Sequence, residues 1–238
     1  MTRLPPVLHR CNSCDDAVSR LAVRLVEIGN RSINEDGCFH LALSGGRTPR
    51  ALHQLLASDA WRNRMDWSRT KLYFGDERCV PPDHEQSNYR MAYETLIEPL
   101  GIAPQQVFRM AGELDPNEAA RAYEMLLPIG KGLDLILLGM GDDGHTASLF
   151  PGSDALQLRD QRVVAAEVAG KGWRLSLSLG EIQSARQLLF LVCGNDKADA
   201  LRSVFQPSGD PLLPAALASS NLPAEWFVDT SASALLPT

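Results

Sequence analysis

Leu133-Asp134-Leu135-Ile136-Leu137-Leu138, followed at once by Gly139-Met140-Gly141-Asp142-Asp143-Gly144-His145-Thr146-Ala147-Ser148, is the stretch on which the fold turns. The first six residues form a near-continuous apolar run, the pattern of a strand buried on both faces. The glycine-rich segment behind it reads as a tight loop at that strand's carboxyl end. Working outward, similar strands are expected at 38–43, 70–74 and 187–192, with a short last strand at 225–229. Between them lie amphipathic helical patterns. One covers 15–28, with Val18, Leu21, Ala22, Leu25, Val26 and Ile28 at helical spacing and Asp15 and Asp16 near its start. Others are expected at about 50–57, 87–98, 116–127 and 196–205. Strands alternating with helices predict an α/β fold with a mostly parallel sheet flanked by helices. After residue 151 the pattern changes: 162–168 and 173–179 read as strands with little helix between them, a small additional β-containing portion. The Pro-rich stretch 207–214 reads as a loop, and the whole chain, 1–238, as a single domain.

Composition narrows the function. The 238 residues are 45% hydrophobic, enough for one sizeable core, and the net charge of −6 disfavours binding to nucleic acid. No apolar run is long enough to span a bilayer, and Met1-Thr2-Arg3-Leu4-Pro5-Pro6 carries no signal-peptide apolar region, so a cytoplasmic protein without membrane contact is expected. The five cysteines, Cys11, Cys14, Cys38, Cys79 and Cys193, form no disulfide framework. Cys11 and Cys14 are read as small residues before a helix. No spacing suits a metal ion, and no cofactor is expected.

In open α/β sheets, ligands bind outside the carboxyl ends of the strands. Four clusters fall there. Ser44-Gly45-Gly46-Arg47-Thr48-Pro49 follows the 38–43 strand. Its glycines admit a ligand close to the backbone, Thr48 suits an N-cap, and the helix behind it would turn free N–H groups toward an anion. Gly75-Asp76-Glu77-Arg78 offers a guanidinium for a phosphate and a carboxylate for a sugar hydroxyl, or else forms a surface salt-bridge cluster. The 139–148 loop carries His145, whose residue type suits a base near neutral pH, with Asp143 close enough in sequence to orient it. Gly194-Asn195-Asp196-Lys197 puts a cation at a helix start, a position a bound phosphate would relieve. His84 is read as exposed, Ser87 and Asn88 as capping residues, Arg47 as either solvated or at the substrate, and Trp173, Trp226 and Phe227 as core or interface aromatics. Ser44 and Ser148 lack the context of a serine nucleophile.

These segments resemble the 6-phosphogluconolactonase family. The resemblance rests on Leu43 to Pro49, on Phe74 to Pro81, on Asp83 to Met91 and on Leu138 to Gly152. It implies a Rossmann-like sheet shared with glucosamine-6-phosphate deaminases, and metal-free hydrolysis of 6-phospho-D-glucono-1,5-lactone to 6-phospho-D-gluconate in the oxidative pentose phosphate pathway. Carried over by motif, His145 is the general base, and Arg78 and Lys197 meet the phosphate beside Gly45 and Gly46. Backbone donors near Gly141–Gly144 are expected to hold the oxyanion. Two departures stand out: Arg174-Leu175-Ser176-Leu177-Ser178 stands where threonines are usual, and the loop before it lacks the expected prolines. The deaminases also carry a glutamate just before their Pro-Gly-Ser, where this chain has Phe150 ahead of Pro151-Gly152-Ser153.

Overall fold

In the strand Leu135–Leu138 every side chain is buried, and alternate residues serve two different cores. Leu135 and Leu137 join Leu41, Leu43, Leu72, Phe74, Leu189 and Leu191 on one face of the sheet. Ile136 and Leu138 join Ala42, Tyr73, Leu188, Phe190 and Trp226 on the other. This division is why the sequence reads as a continuous apolar run: a strand with helices on both sides needs apolar residues at every position.

The computed structural model describes residues 6–158, 160–206, 212–220 and 224–237. In chain order the main elements are β1 (Val7–Cys11), α1 (Cys14–Asp36), β2 (Phe39–Leu43), α2 (Arg47–Ala57), β3 (Thr70–Phe74), β4 (Asp76–Arg78) and α3 (Asn88–Ala92). A π-helical turn, Tyr93–Ile97, leads into α4 (Glu98–Leu100), then α5 (Pro116–Glu124), β5 (Leu135–Leu138), β6 (Val163–Val168) and β7 (Gly172–Leu177). The chain closes with α6 (Leu179–Ser184), β8 (Leu188–Val192), α7 (Ala198–Phe205), α8 (Pro214–Ala218) and β9 (Ala224–Asp229).

Six strands form a sheet in the order β1-β9-β8-β5-β2-β3, parallel throughout. Leu41 pairs with Leu135 and Ala42 with Ile136, so β2 and β5 are neighbours although far apart in sequence. Successive connections run outward in opposite directions from these two strands. A crevice opens where they part. Helix α1 packs its Leu21, Leu25 and Ile28 into one core and is capped by Ser13, which accepts the Asp16 amide. The opposite core takes Phe190 stacked on Trp226, with ring centroids 3.8 Å apart. It also takes Leu175 and Leu177 from the second sheet, a three-stranded antiparallel one in the order β4-β7-β6.

Several elements differ from the sequence expectation. Strand β1 was not expected; its mixed residues suit an edge strand, and it pairs only with β9. The helix expected at 15–28 extends to Asp36, and the one expected at 87–98 is interrupted by its π-helical turn. Asp76-Glu77-Arg78 is a strand and not a loop, so the additional β portion recruits three residues from well before residue 151. Of the expected loop at 207–214, residues 207–211 lie outside the described residues, and Pro214 opens α8. Among the described residues no helix is long and apolar enough to cross a membrane.

His53, on α2, is fully buried, with Nδ1 3.2 Å from Thr95 Oγ1 and Nε2 without a partner. Burial, with the Arg50 charge, pushes its pKa down to about 4. A histidine held neutral in the fold but free to protonate when unfolded contributes stability that is complete above pH ~6.5 and lost as pH falls toward the folded value. Unfolding free energy should therefore fall between pH ~6.5 and about 4, with this group contributing up to about 1.4 kcal/mol per pH unit. Urea melts across that range should show a shallower fall in His53→Leu. An unchanged slope would remove His53 as the cause.

Candidate functional site

The crevice between β2 and β5 is flanked by the loops that follow these strands. Together they line a cleft of two overlapping lobes, about 240 and 230 Å³. Gly45, Gly46, Gly139, Met140 and Lys197 border both lobes. The first lobe adds Asp76, Arg78, Asn88 and His145, and the second adds Arg47, Thr48 and Asp196.

His145 is held by its own loop. Asp143 Oδ1 accepts the His145 backbone amide at 3.0 Å and lies 2.6 Å from imidazole Nδ1. A carboxylate there keeps the proton on Nδ1 and leaves the lone pair on Nε2. Burial works to raise the Asp143 pKa, but hydrogen bonds from the His145 backbone and ring, with the Lys171 charge, hold it below the usual carboxylate range. Gly141 is required by close approach, because a Cβ there would lie 2.0 Å from Nδ1. Phe150 stacks on the imidazole with centroids 4.3 Å apart, and the Lys171 ammonium sits 4.7 Å from the Phe150 ring. Ala147 adopts a left-handed φ of 47°, a cost of roughly 1–2 kcal/mol for a residue with a Cβ. The loop is pinned through it by Thr146 Oγ1, which donates to the Gly139 carbonyl at 2.8 Å. The Gly141 amide donates to the His145 carbonyl and the Gly144 amide to the Gly141 carbonyl. Both are spent on the turn, so neither of these two amides is available to an oxyanion.

Helix α2 begins two residues earlier than Thr48 would mark. Its N-cap is Gly46, without a side-chain cap, and the first amide bonded back is that of Arg50. Thr48 is thus inside the first turn, and the free amides of that turn face the second lobe. Arg47 is exposed at its rim. Lys197 ends a 3-10 turn, Asn195–Lys197, where its Nζ lies 3.0 Å from Asp196 Oδ2. The neighbouring carboxylate offsets part of the unfavourable dipole at this position.

Asp76 and Arg78 reach the cleft from β4. Asp76 Oδ2 accepts Ser148 Oγ at 2.7 Å, and Asp76 also accepts from Asn88 Nδ2 at 3.2 Å. Between them Glu77 turns inward and is 2% exposed. Its carboxylate accepts the amides of Arg78, Asn88 and Tyr89, each at 2.8 Å, and the Ser87 hydroxyl at 3.0 Å. Burial pushes the Glu77 carboxyl up, against the pull of these hydrogen bonds. Ser87 does cap α3, accepting the Arg90 amide. Asn88 does more than cap: it packs against Gly45, where a Cβ would meet its Oδ1 at 1.9 Å. The place of Asn88 in the cleft, the stacking of Phe150 on His145 and the anchoring role of Glu77 are not legible in the sequence. The spacing from Glu77 to Ser87-Asn88-Tyr89 is the one trace of the anchor, since it joins a strand to a helix start.

The other candidates fall elsewhere. His84 is exposed, with Nδ1 accepting the Gln86 amide. Trp226 and Phe227 are core residues, whereas Trp173 is 38% exposed. Cys11 ends β1, Cys14 opens α1, and all five cysteines are free. Among the described residues no group of three or more histidine, cysteine, aspartate or glutamate side chains is gathered for a metal ion.

A carboxylate-oriented imidazole beside cations, at the switch point of a parallel sheet, defines a class of α/β proteins that act on small polar anions. The comparisons name the family. Residues 12–226 match the family model described as glucosamine-6-phosphate isomerases/6-phosphogluconolactonase. A 6-phosphogluconolactonase of Treponema pallidum is 40% identical over 194 residues, 77% of this chain and 79% of that protein. One from Nostoc sp. is 37% identical over 216 residues, 86% and 88% of the two chains. The fold superposes on a 6-phosphogluconolactonase from Trypanosoma brucei with a TM-score of 0.88 at 26% identity, over 99% of this chain and 100% of that one. This chain belongs to the glucosamine-6-phosphate isomerase/6-phosphogluconolactonase family.

Glu77→Gln keeps the side-chain shape but replaces one acceptor oxygen with a donor. Stranded backbone amides should cost about 2–4 kcal/mol of unfolding free energy. Urea denaturation measures this directly. A loss below about 1 kcal/mol, within the range of an ordinary surface change, would contradict the anchoring role.

Proposed function

We propose that this chain hydrolyses 6-phospho-D-glucono-1,5-lactone to 6-phospho-D-gluconate, as its lactonase relatives are named for doing, and that His145 is the general base. The observation that carries the base assignment is the Asp143–His145 pair, with Nε2 free of any protein partner among the described residues, on the wall of a cleft bordered by Arg78 and Lys197. The reaction belongs to the oxidative pentose phosphate pathway. We infer a single domain over 1–238, supported by the core cluster that takes residues from both sheets. We also infer a cytoplasmic location, in keeping with five free cysteines.

In this reading the phosphate sits in the second lobe. There the open first turn of α2, at Gly46, Arg47 and Thr48, and the Lys197 ammonium supply charge and donors. Gly45 and Gly46 let the sugar lie close to the backbone, and Asp76 accepts from a ring hydroxyl. The lactone carbonyl then lies in the first lobe with His145 and Arg78. Water attacks C1 while Nε2 takes its proton. Asp143 stabilises the imidazolium that forms and keeps the ring from rotating. The tetrahedral oxyanion draws on the positive charge of Arg78. As the bond from C1 to the ring oxygen breaks, Nε2 returns the proton to that oxygen, and the product acid ionises. No step calls on a metal. Phe150, stacked on the imidazole, neither gives nor takes a proton, which suits a carbonyl that is already electrophilic and suits a deaminase poorly.

The test is turnover of freshly generated lactone by the pure protein and by His145→Asn. General-base catalysis is worth roughly 10²–10⁴ in rate, so the variant should lose that much kcat while KM moves little. Near-normal kcat in the variant would show His145 to be structural. Ammonia release from glucosamine 6-phosphate by the wild-type protein would overturn the lactonase reading.

A further inference from the structure

Strands β4 and β7 run antiparallel, with Asp76 opposite Ser176 and Arg78 opposite Arg174. Residues directly opposite share one face of a sheet. Asp76 and Arg78 stand on the face that lines the cleft, so Arg174 stands on that face too, beside Arg78. Ser176 supports the same reading, because its hydroxyl accepts the amide of Ser148, three residues beyond His145.

Like charges directly opposite on paired strands destabilise the pair unless negative charge lies near. The Asp76 and Glu77 carboxylates act on Arg174 in that sense, but neither forms an ion pair with it or with Arg78. Arg78 donates to the Gln86 carbonyl, and Arg174 Nη1 donates to the carbonyl of its neighbour Trp173 at 3.0 Å. Neither forms an ion pair with a carboxylate among the described residues. Other partly buried arginines behave differently: Arg24 holds Glu225, Arg109 holds Glu113, and Arg162 holds Glu181. Burial and the adjacent Arg78 charge pull the Arg174 guanidinium below its usual range, and the Asp76 and Glu77 charges offset them only in part. An anionic ligand would relieve it.

Position along the cleft decides which anion. The α2 start, Arg47 and Thr48 line the second lobe, whereas Arg78 lines only the first, with His145. A sugar anchored by its phosphate in the second lobe presents its C1 end to the arginines. We propose that Arg174 is a positioning residue which, with Arg78, forms an anion pole for the C1 end of the substrate, recognising the carboxylate of an aldonic acid 6-phosphate and the oxyanion that precedes it. The proposal rests on the lactone-hydrolysis reading for the identity of that anion.

Calorimetric titration separates the two ends of the ligand. 6-Phosphogluconate carries phosphate and carboxylate; glucose 6-phosphate carries the phosphate alone. For Arg174→Gln, affinity for 6-phosphogluconate should fall about tenfold, that of one charge-assisted bond, while glucose 6-phosphate changes by less than about twofold. Arg174→Lys should restore most of the loss, and kcat for the lactone should fall more than KM rises. Arg174→Met, which keeps the apolar stem, replaces the glutamine variant should that one fail to fold. Equal weakening of both ligands would move Arg174 to the phosphate, and no weakening of either would remove it from the site; both results overturn the proposal, as does a lysine variant no better than the glutamine one. Wild-type protein that distinguishes the two ligands but leaves the lactone intact would overturn the function and leave the pole standing.

Discussion

Where β2 lies beside β5, two segments from distant parts of the chain leave the sheet at one edge, and their loops cannot both follow the same path. The pairing of Leu41 with Leu135 and Ala42 with Ile136 sets this divergence. Everything in the site depends on it. One loop turns into α2 and opens its first amides, and the other folds back on itself to present His145. The cleft between them is a consequence of strand order, and the side chains only furnish it.

Furnishing follows a division of labour among carboxylates. Glu77 is buried and gathers three amides and a hydroxyl, which fixes the start of α3 and with it Asn88. Asp76, next to it on the same short strand, faces the opposite way and reaches the cleft. Asp143 is partly exposed and serves a single imidazole. Three acids, two on β4 and one in the His145 loop, thus have three roles, each set by what surrounds the carboxylate. Depth decides most of it: a buried carboxylate must collect donors, whereas one at a rim keeps capacity for a ligand or a neighbouring ring.

The sequence revealed the sheet well because β2, β3, β5 and β8 are buried on both faces, and such strands announce themselves by apolar content alone. It revealed β1 and β4 poorly. His9 and Arg10 in one, and Asp76, Glu77 and Arg78 in the other, are polar residues whose strand conformation comes from tertiary pairing and not from local pattern. The site residues were legible for the same reason the sheet was: ligand-facing loops follow the strands, and glycine, histidine and arginine are conspicuous there. What stayed hidden needed the third dimension. Thr48 looks like an N-cap, but the helix starts at Gly46 because the chain leaves β2 already turning. The amides of Gly141 and Gly144 look free, yet the turn consumes them. Phe150 is five residues from His145, a distance that carries no signal until the loop reverses at Ala147 and stacks the two rings.

The proposed reaction requires one orientation: phosphate against the α2 start and Lys197, reacting carbon against His145. A crystal structure with 6-phosphogluconate bound tests it most directly. Phosphate oxygens are expected at about 2.7–3.1 Å from Lys197 Nζ and the first amides of α2, with the carboxylate carbon within one water's reach of His145 Nε2. A ligand bound the other way round, with its carboxylate on Lys197 and its phosphate beside His145, would contradict it.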